Sequence, residues 1–415
     1  ASAPSTALIQ NDIVLFGLIA ATLAAVFWTE SRPSGPWRRF YTYVPALLLC
    51  YLIPGIYNSV GLIDGAASQL YNPVASRVLL PAALVLLTLT IDLKGVFRLG
   101  PKLLAMYAAA SVSVMIGAVA AFAIMRALHP ETVAGDTWGG MATLAGSWIG
   151  GGANMVAMKE VFDVDETTFG QFVVIDVGVG YLWMAILIFL AGRAQAIDAR
   201  SGADTRAIDD LRQRLSDYQA THQRVASLAD LMLILGIAFG IVGLAHAVAG
   251  PASAWFGAHV PWARQVSLHE PFVWVVVLST FAGLGLSLTR ARELDGAGAS
   301  KVGTLFLYIL IACIGMQMQI GALADRPWLF ALGLLWIAIH IALLWLVGRW
   351  LKVPFFYFAM GSQSNIGGPA SAPVVASVFH PSLAPVGALL GALGYATGTV
   401  AAYIVGITLR AMAGG

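Results

Sequence analysis

Runs of roughly 20 apolar residues separated by short polar breaks recur along the whole chain, at about 11–28, 41–60, 77–97, 102–128, 168–192, 228–249, 271–289, 302–324, 327–348 and 382–409. Each is about long enough to cross a hydrocarbon layer of ~30 Å as a helix. The pattern predicts an all-α polytopic membrane protein with ten spans. Two further apolar stretches, about 138–162 and 354–379, break the pattern, because glycines and small polar residues interrupt them. The first contains Gly146-Ser147-Trp148-Ile149-Gly150-Gly151-Gly152-Ala153-Asn154, and the second Gly361-Ser362-Gln363-Ser364-Asn365-Ile366-Gly367-Gly368-Pro369. Glycine costs about 1 kcal/mol relative to alanine inside a helix, so the backbone is expected to open there. Open backbone at membrane depth is tolerated only where protein buries it or where it lines a cavity. Both stretches are therefore expected binding elements.

Lysine and arginine placement decides whether these stretches cross the membrane. If both are re-entrant hairpins and the N-terminus is outside, the cytoplasmic side receives Arg32, Arg38, Arg39, Lys94, Arg98, Lys102, the six arginines of 193–224, Arg290, Arg292, Lys301, Arg349 and Lys352. That is 17 of the 23 basic residues. Were both stretches to cross, the split would be 9 against 14. The positive-inside bias favours hairpins, with both termini outside a bacterial cytoplasmic (inner) membrane. Five spans and one hairpin then make each half, 1–192 and 228–415, and the odd number of crossings inverts the second half. Inverted repeats with interrupted segments at matching positions are the pattern of secondary transporters. The first hairpin is expected to open outward and the second inward, with their tips meeting near the midplane. Residues 193–227 form a polar cytoplasmic linker, in which Ile208, Leu211, Leu215 and Tyr218 recur at helical spacing. This linker is a tether, or else a regulatory or dimer-contact element.

Composition narrows the function classes. At 59% hydrophobic, 11% charged and a mean hydropathy of +0.81, the chain leaves no room for a soluble enzyme domain. Its net charge of +2 gives no sign of nucleic-acid binding. Cys50 and Cys313 lie in apolar spans as small hydrophobes, and no metal constellation or phosphate loop is present. No cofactor is expected beyond Na⁺ or H⁺ as a coupling ion.

The helices leaving Gly151-Gly152 and Gly367-Gly368 would aim free N–H groups into the interior, an anion site that needs no buried lysine or arginine. The expected substrate-binding set is Ser147, Gly151, Gly152, Asn154, Ser362, Gln363, Ser364, Asn365, Gly367 and Gly368. Close helix packing through small residues is the alternative for the glycines, although it leaves Gln363 and Asn365 unexplained. Asp176, in mid-span, is an ion or proton ligand by default, or a carboxylate capping the hairpin. Asp92 near a span end is either an ion ligand or a solvated end beside Lys94. Gln317 and Gln319 are ion ligands or interhelical hydrogen-bond partners, and His246 and His340 are structural.

At these residues the chain resembles a known family. Gly150-Gly151-Gly152-Ala153-Asn154 with Lys159-Glu160, Asp92-Leu93-Lys94, and above all 361–373 look like the YjcL-like family, domain of unknown function 819. More distantly, Ala145 to Gly152 and the following span with Gly178 and Gly180 are similar to the re-entrant hairpin of the glutamate:sodium symporters and 2-hydroxycarboxylate transporters. That resemblance implies an elevator-type homodimeric carrier that binds a carboxylate between hairpin tips and couples it to Na⁺. The dimer contact is expected at 41–60 and 271–289. The motifs differ from both families, so neither glutamate nor citrate is carried over. The function expected is cation-coupled transport of an amino acid, small peptide or organic acid; a passive channel or membrane sensor on the same repeat is the alternative.

Overall fold

A computed structural model describes residues 7–44, 46–65, 67–201, 225–263, 268–317, 326–380 and 383–414. Among these the structure is helical, apart from one isolated bridge between Ile9 and Ile63. The helices are α1 (Asp12–Glu30), α2 (Pro36–Tyr43), α3 (Ala46–Ser59), α4 (Leu80–Leu89) with a π-helical lead-in (Leu70–Leu79), α5 (Leu93–Arg98), α6 (Pro101–Leu128), α7 (Thr137–Gly150), α8 (Gly152–Val161) and α9 (Glu166–Ala191). They continue as α10 (Ala194–Ser201), α11 (Leu228–His259), α12 (Pro271–Ser287), α13 (Ala299–Gly315), α14 (Trp328–Leu351), α15 (Phe355–Ile366), α16 (Gly368–Phe379) and α17 (Ala384–Ala413). Seven helices are long and apolar enough to cross a membrane: α1, Leu70–Leu89, α6, α9, α11, α14 and Val386–Ala413 within α17. The chain is thus a multi-pass membrane protein.

Each of the ten expected spans contains a helix, but three are shorter than a full crossing: α3 has 14 residues, and α12 and α13 have 17 each. The span expected at 77–97 is shifted toward the N-terminus. It runs from Leu70 and stops at Leu89, because Asp92 turns outward to cap α5, accepting from Gly95 N at 3.0 Å. Helix starts follow local chemistry: Asp165 caps α9, Ser227 and Asp230 form a capping box on α11, and prolines open α6 and α12. The expected linker helix through Ile208 and Tyr218, and Gln319, lie outside the described residues.

Both glycine-rich stretches double back. The break after α7 falls at Gly151, with φ 82° and ψ 179°, a conformation essentially reserved for glycine. Gly146 then packs on the backbone of Asn154, so close that an added Cβ would sit 2.6 Å from the Asn154 oxygen. The outer ends meet as well: the rings of Trp138 and Phe162 lie 5.6 Å apart. The second hairpin breaks at Gly367-Gly368, where Gly368 has φ 60°, and its ends meet through Phe356 and Phe379 at 5.2 Å.

Packing sorts the helices into two groups. The hairpins, α6, α9, α14 and α17 form one, with the densest contacts between α17 and α7, α17 and α16, and α14 and α6. Its centre is aromatic: Trp148 and Trp336 approach to 4.9 Å, and Trp336 Nε1 donates to Val114 O at 2.8 Å. The second group is α1, α3, α4, α11, α12 and α13. Linker helix α10 docks on the first group, where Asp198 accepts from Phe355 N at 2.7 Å and so supplies the cap that α15 lacks locally. Burial raises the Asp198 carboxyl, against the lowering effect of that N–H. Asp198→Ala should lower stability by about 1 kcal/mol, as loss of a helix cap does, while Asp198→Asn retains an acceptor and most of the stability. Thermal unfolding in detergent measures both; an alanine variant as stable as the parent would refute the capping role.

Candidate functional site

A cavity of about 770 Å³ lies between the two helix groups. Both hairpins reach it. Ser147, Gly151 and Gly152 from the first, and Gln363, Gly367 and Ser371 from the second, line its wall with Asp176, Tyr181 and Tyr395. The opposite wall carries Leu87, Thr90, Leu307 and Tyr308. The tips touch, since a Cβ on Gly368 would stand 3.8 Å from the Gly151 Cα. The turn glycines let the two backbones approach this closely.

Of the expected substrate set, Ser147, Gly151, Gly152, Gln363 and Gly367 line the cavity, and Gly368 is at the tip contact. Asp176 also lines it, and its Oδ2 accepts from Ser147 Oγ at 2.7 Å, so the carboxylate both faces the cavity and ties α9 to the first hairpin. Asn154, Ser362, Ser364 and Asn365 are not in the wall. They are buried and most are spent on holding helices together. Asn154 Nδ2 donates to Gly150 O (3.1 Å), Gly394 O (3.4 Å) and Tyr395 O (3.1 Å), while its Oδ1 accepts from Thr399 Oγ1 at 2.5 Å. Asn365 repeats the arrangement on α6, donating to Gly361 O (2.8 Å) and Tyr107 O (3.3 Å) and accepting from Ser111 Oγ at 2.7 Å. Ser362 Oγ accepts from Trp183 Nε1 and pairs with His340 Nε2, both at 2.8 Å, and His340 Nδ1 pairs with Ser113 Oγ at 2.7 Å. Ser364 Oγ is buried with no partner among the described residues.

Asp92 lines the cavity and is ion-paired with Arg292, not with the neighbouring Lys94. Gln317 lies just past α13 and outside the wall. Sequence reasoning missed Glu30 and Asp295, exposed carboxylates at the cavity's Asp92 end, which come from separate loops with no shared motif. Tyr181 and Tyr395 had a signal, the Gly-Tyr pair after each hairpin.

The far end of the same helix is closed by a buried ionic network. Lys159, 4% exposed, donates to Tyr71 OH at 2.8 Å and to Glu166 Oε1 at 3.2 Å, with Glu160 Oε1 at 3.5 Å. Tyr71 OH donates to Glu160, and Arg77 lies 3.8 Å from that carboxylate. Tyr71 and Arg77 belong to the lead-in of α4, the other members to α8 and the start of α9. The network therefore joins the two helix groups. Tyr71 starts and Asp92 follows a helix of 20 residues, so the network and the acidic mouth are about 30 Å apart.

Two comparisons bear on this arrangement. A family model described as "Protein of unknown function (DUF819)" matches residues 17–412. The chain is also similar to the "Uncharacterized membrane protein YjcL" of Bacillus subtilis (strain 168), at 25% identity over 406 residues, covering 96% of this chain and 97% of the relative.

Proposed function

Because the chain belongs to the DUF819 family of membrane proteins, we propose, from the geometry of its cavity, that it is a secondary-active transporter of a small carboxylate-bearing solute. The observation that carries this reading is the cavity itself, bounded on one side by the touching tips of two doubled-back hairpins and on the other by a separate helix group. The hairpin-bearing group contains α6 and α9 around the first hairpin and α14 and α17 around the second, elements at the same places in each half. That correspondence supports an inverted repeat, and the division into two groups supports elevator-type alternating access. The charge bias puts the Glu30, Asp92 and Asp295 mouth in the cytoplasm. The Lys159 network then shuts the outer end, which favours a carrier over an open pore.

Asp176 is the coupling residue of this proposal, for Na⁺ or H⁺. A homodimer also belongs to it. The expected contact at 271–289 is largely taken up within the chain by α4 and α11, whereas α1 and α11 leave most of their surface uncovered. In proteoliposomes, solute accumulation should follow an imposed Na⁺ or proton gradient. Asp176→Asn should cut accumulation at least about tenfold while leaving expression intact, the loss expected when a group acting in the cycle itself is removed. Uptake that is flat across both gradients would refute coupling.

A further inference from the structure

The cavity wall is chemically one-sided, and this inference rests on the carrier reading above. Gln363 is 1% exposed and lines the cavity. Its Nε2 donates to Ser371 Oγ at 2.7 Å, yet its Oε1 has no hydrogen-bond partner. A buried acceptor left without a donor costs about 1–3 kcal/mol, a cost that a ligand N–H would remove. Asp176 adds a carboxylate in the same wall, and an ionised carboxyl accepts several hydrogen bonds beyond the one from Ser147. Toward the mouth stand Glu30, Asp92 and Asp295, and the described wall contains no lysine, arginine or histidine. The donors that remain for an anionic group are main-chain N–H groups at the start of α8, a helix of ten residues.

We infer that the transported solute carries a protonated amine together with its carboxylate. The ammonium group faces Gln363 Oε1 and Asp176, and the carboxylate faces the Gly152 end of α8. This selects amino acids or short peptides over organic acids, because a solute with no positive group meets an acidic mouth and an acceptor it cannot satisfy. Charge-assisted hydrogen bonds of this kind are about twice as strong as neutral ones, so removing the amine is the most damaging change to the ligand.

The full chain in detergent, titrated by thermal shift and calorimetry, tests this. The probes are the twenty amino acids and a panel of dipeptides, each set against its N-acetylated and deaminated counterpart. Amine-bearing probes should bind at least about tenfold more tightly than their counterparts, in the presence and absence of Na⁺. Gln363→Met, which keeps length and removes the acceptor, should erase most of that preference, with its melting temperature checking that the variant is folded. Asp176→Asn should do the same independently. If N-acetylated or deaminated probes bind within about twofold of the amines, the amine assignment falls while the carrier reading stands. If neither class binds and neither is taken up by proteoliposomes, both fall.

Discussion

Bridging cysteines placed at positions 152 and 307 should stop transport. A Cβ on Gly152 would lie 3.8 Å from Leu307 Cδ2, and Gly152 is on the first hairpin whereas Leu307 is on α13 of the other group. Gly152, unlike Gly151, is not among the positive-φ glycines, so a cysteine there is not strained. The native Cys50 and Cys313 are buried and do not compete. With both substitutions, Hg²⁺ or a short bifunctional thiol reagent should join the helix groups and reduce uptake more than about tenfold, because alternating access requires them to slide past each other on the microsecond-to-millisecond scale. Excess thiol should restore it, and neither single cysteine should respond. If the bridged protein transports at the unbridged rate, the two groups do not move against one another and the elevator proposal is wrong.

The second large effect concerns packing. A Cβ at Gly398 would lie 2.3 Å from the Gly150 Cα and 2.7 Å from its nitrogen, backbone atoms that no rotamer change can move. Gly398→Leu should push α17 off the first hairpin and pull Asn154 from its carbonyl partners. The cost should reach about 3 kcal/mol or more, the upper end for overpacking. Gly236→Leu provides the control, as nothing lies within 4 Å of a Cβ there. Thermal unfolding should drop by several degrees for the first variant and not for the second. A Gly398→Leu protein that melts with the parent would mean that α17 and α7 are not in contact as described.

The hairpins were legible because glycine is the residue that opens a helix, and here it opens two apolar stretches at positions where no span fits. Their doubled-back geometry followed from the distribution of lysine and arginine, and the structure shows it in the ring contacts at their ends. The roles of Asn154 and Asn365 were not legible. Both are small polar residues beside turn glycines, so composition marks them as ligands. Yet each sits one helical turn from a carbonyl of its own helix and against the backbone of another whose register no local pattern reveals. Gln363, two residues from Asn365, does line the cavity, and helical position alone separates the two. The acidic mouth was hidden for a different reason: Glu30, Asp92 and Asp295 read singly as solvated ends of spans, and only the fold brings them to one opening.

The amide of Asn154 also constrains how the protein is made. Its partners Gly394, Tyr395 and Thr399 belong to the last helix, about 240 residues downstream. While the ribosome is still delivering the second half, the first hairpin is in the bilayer with this amide lacking those three partners, and an unsatisfied polar group in hydrocarbon is costly. The hairpin can settle only when the C-terminal helix leaves the insertion machinery, so the completion of the site is also the signal that synthesis has finished.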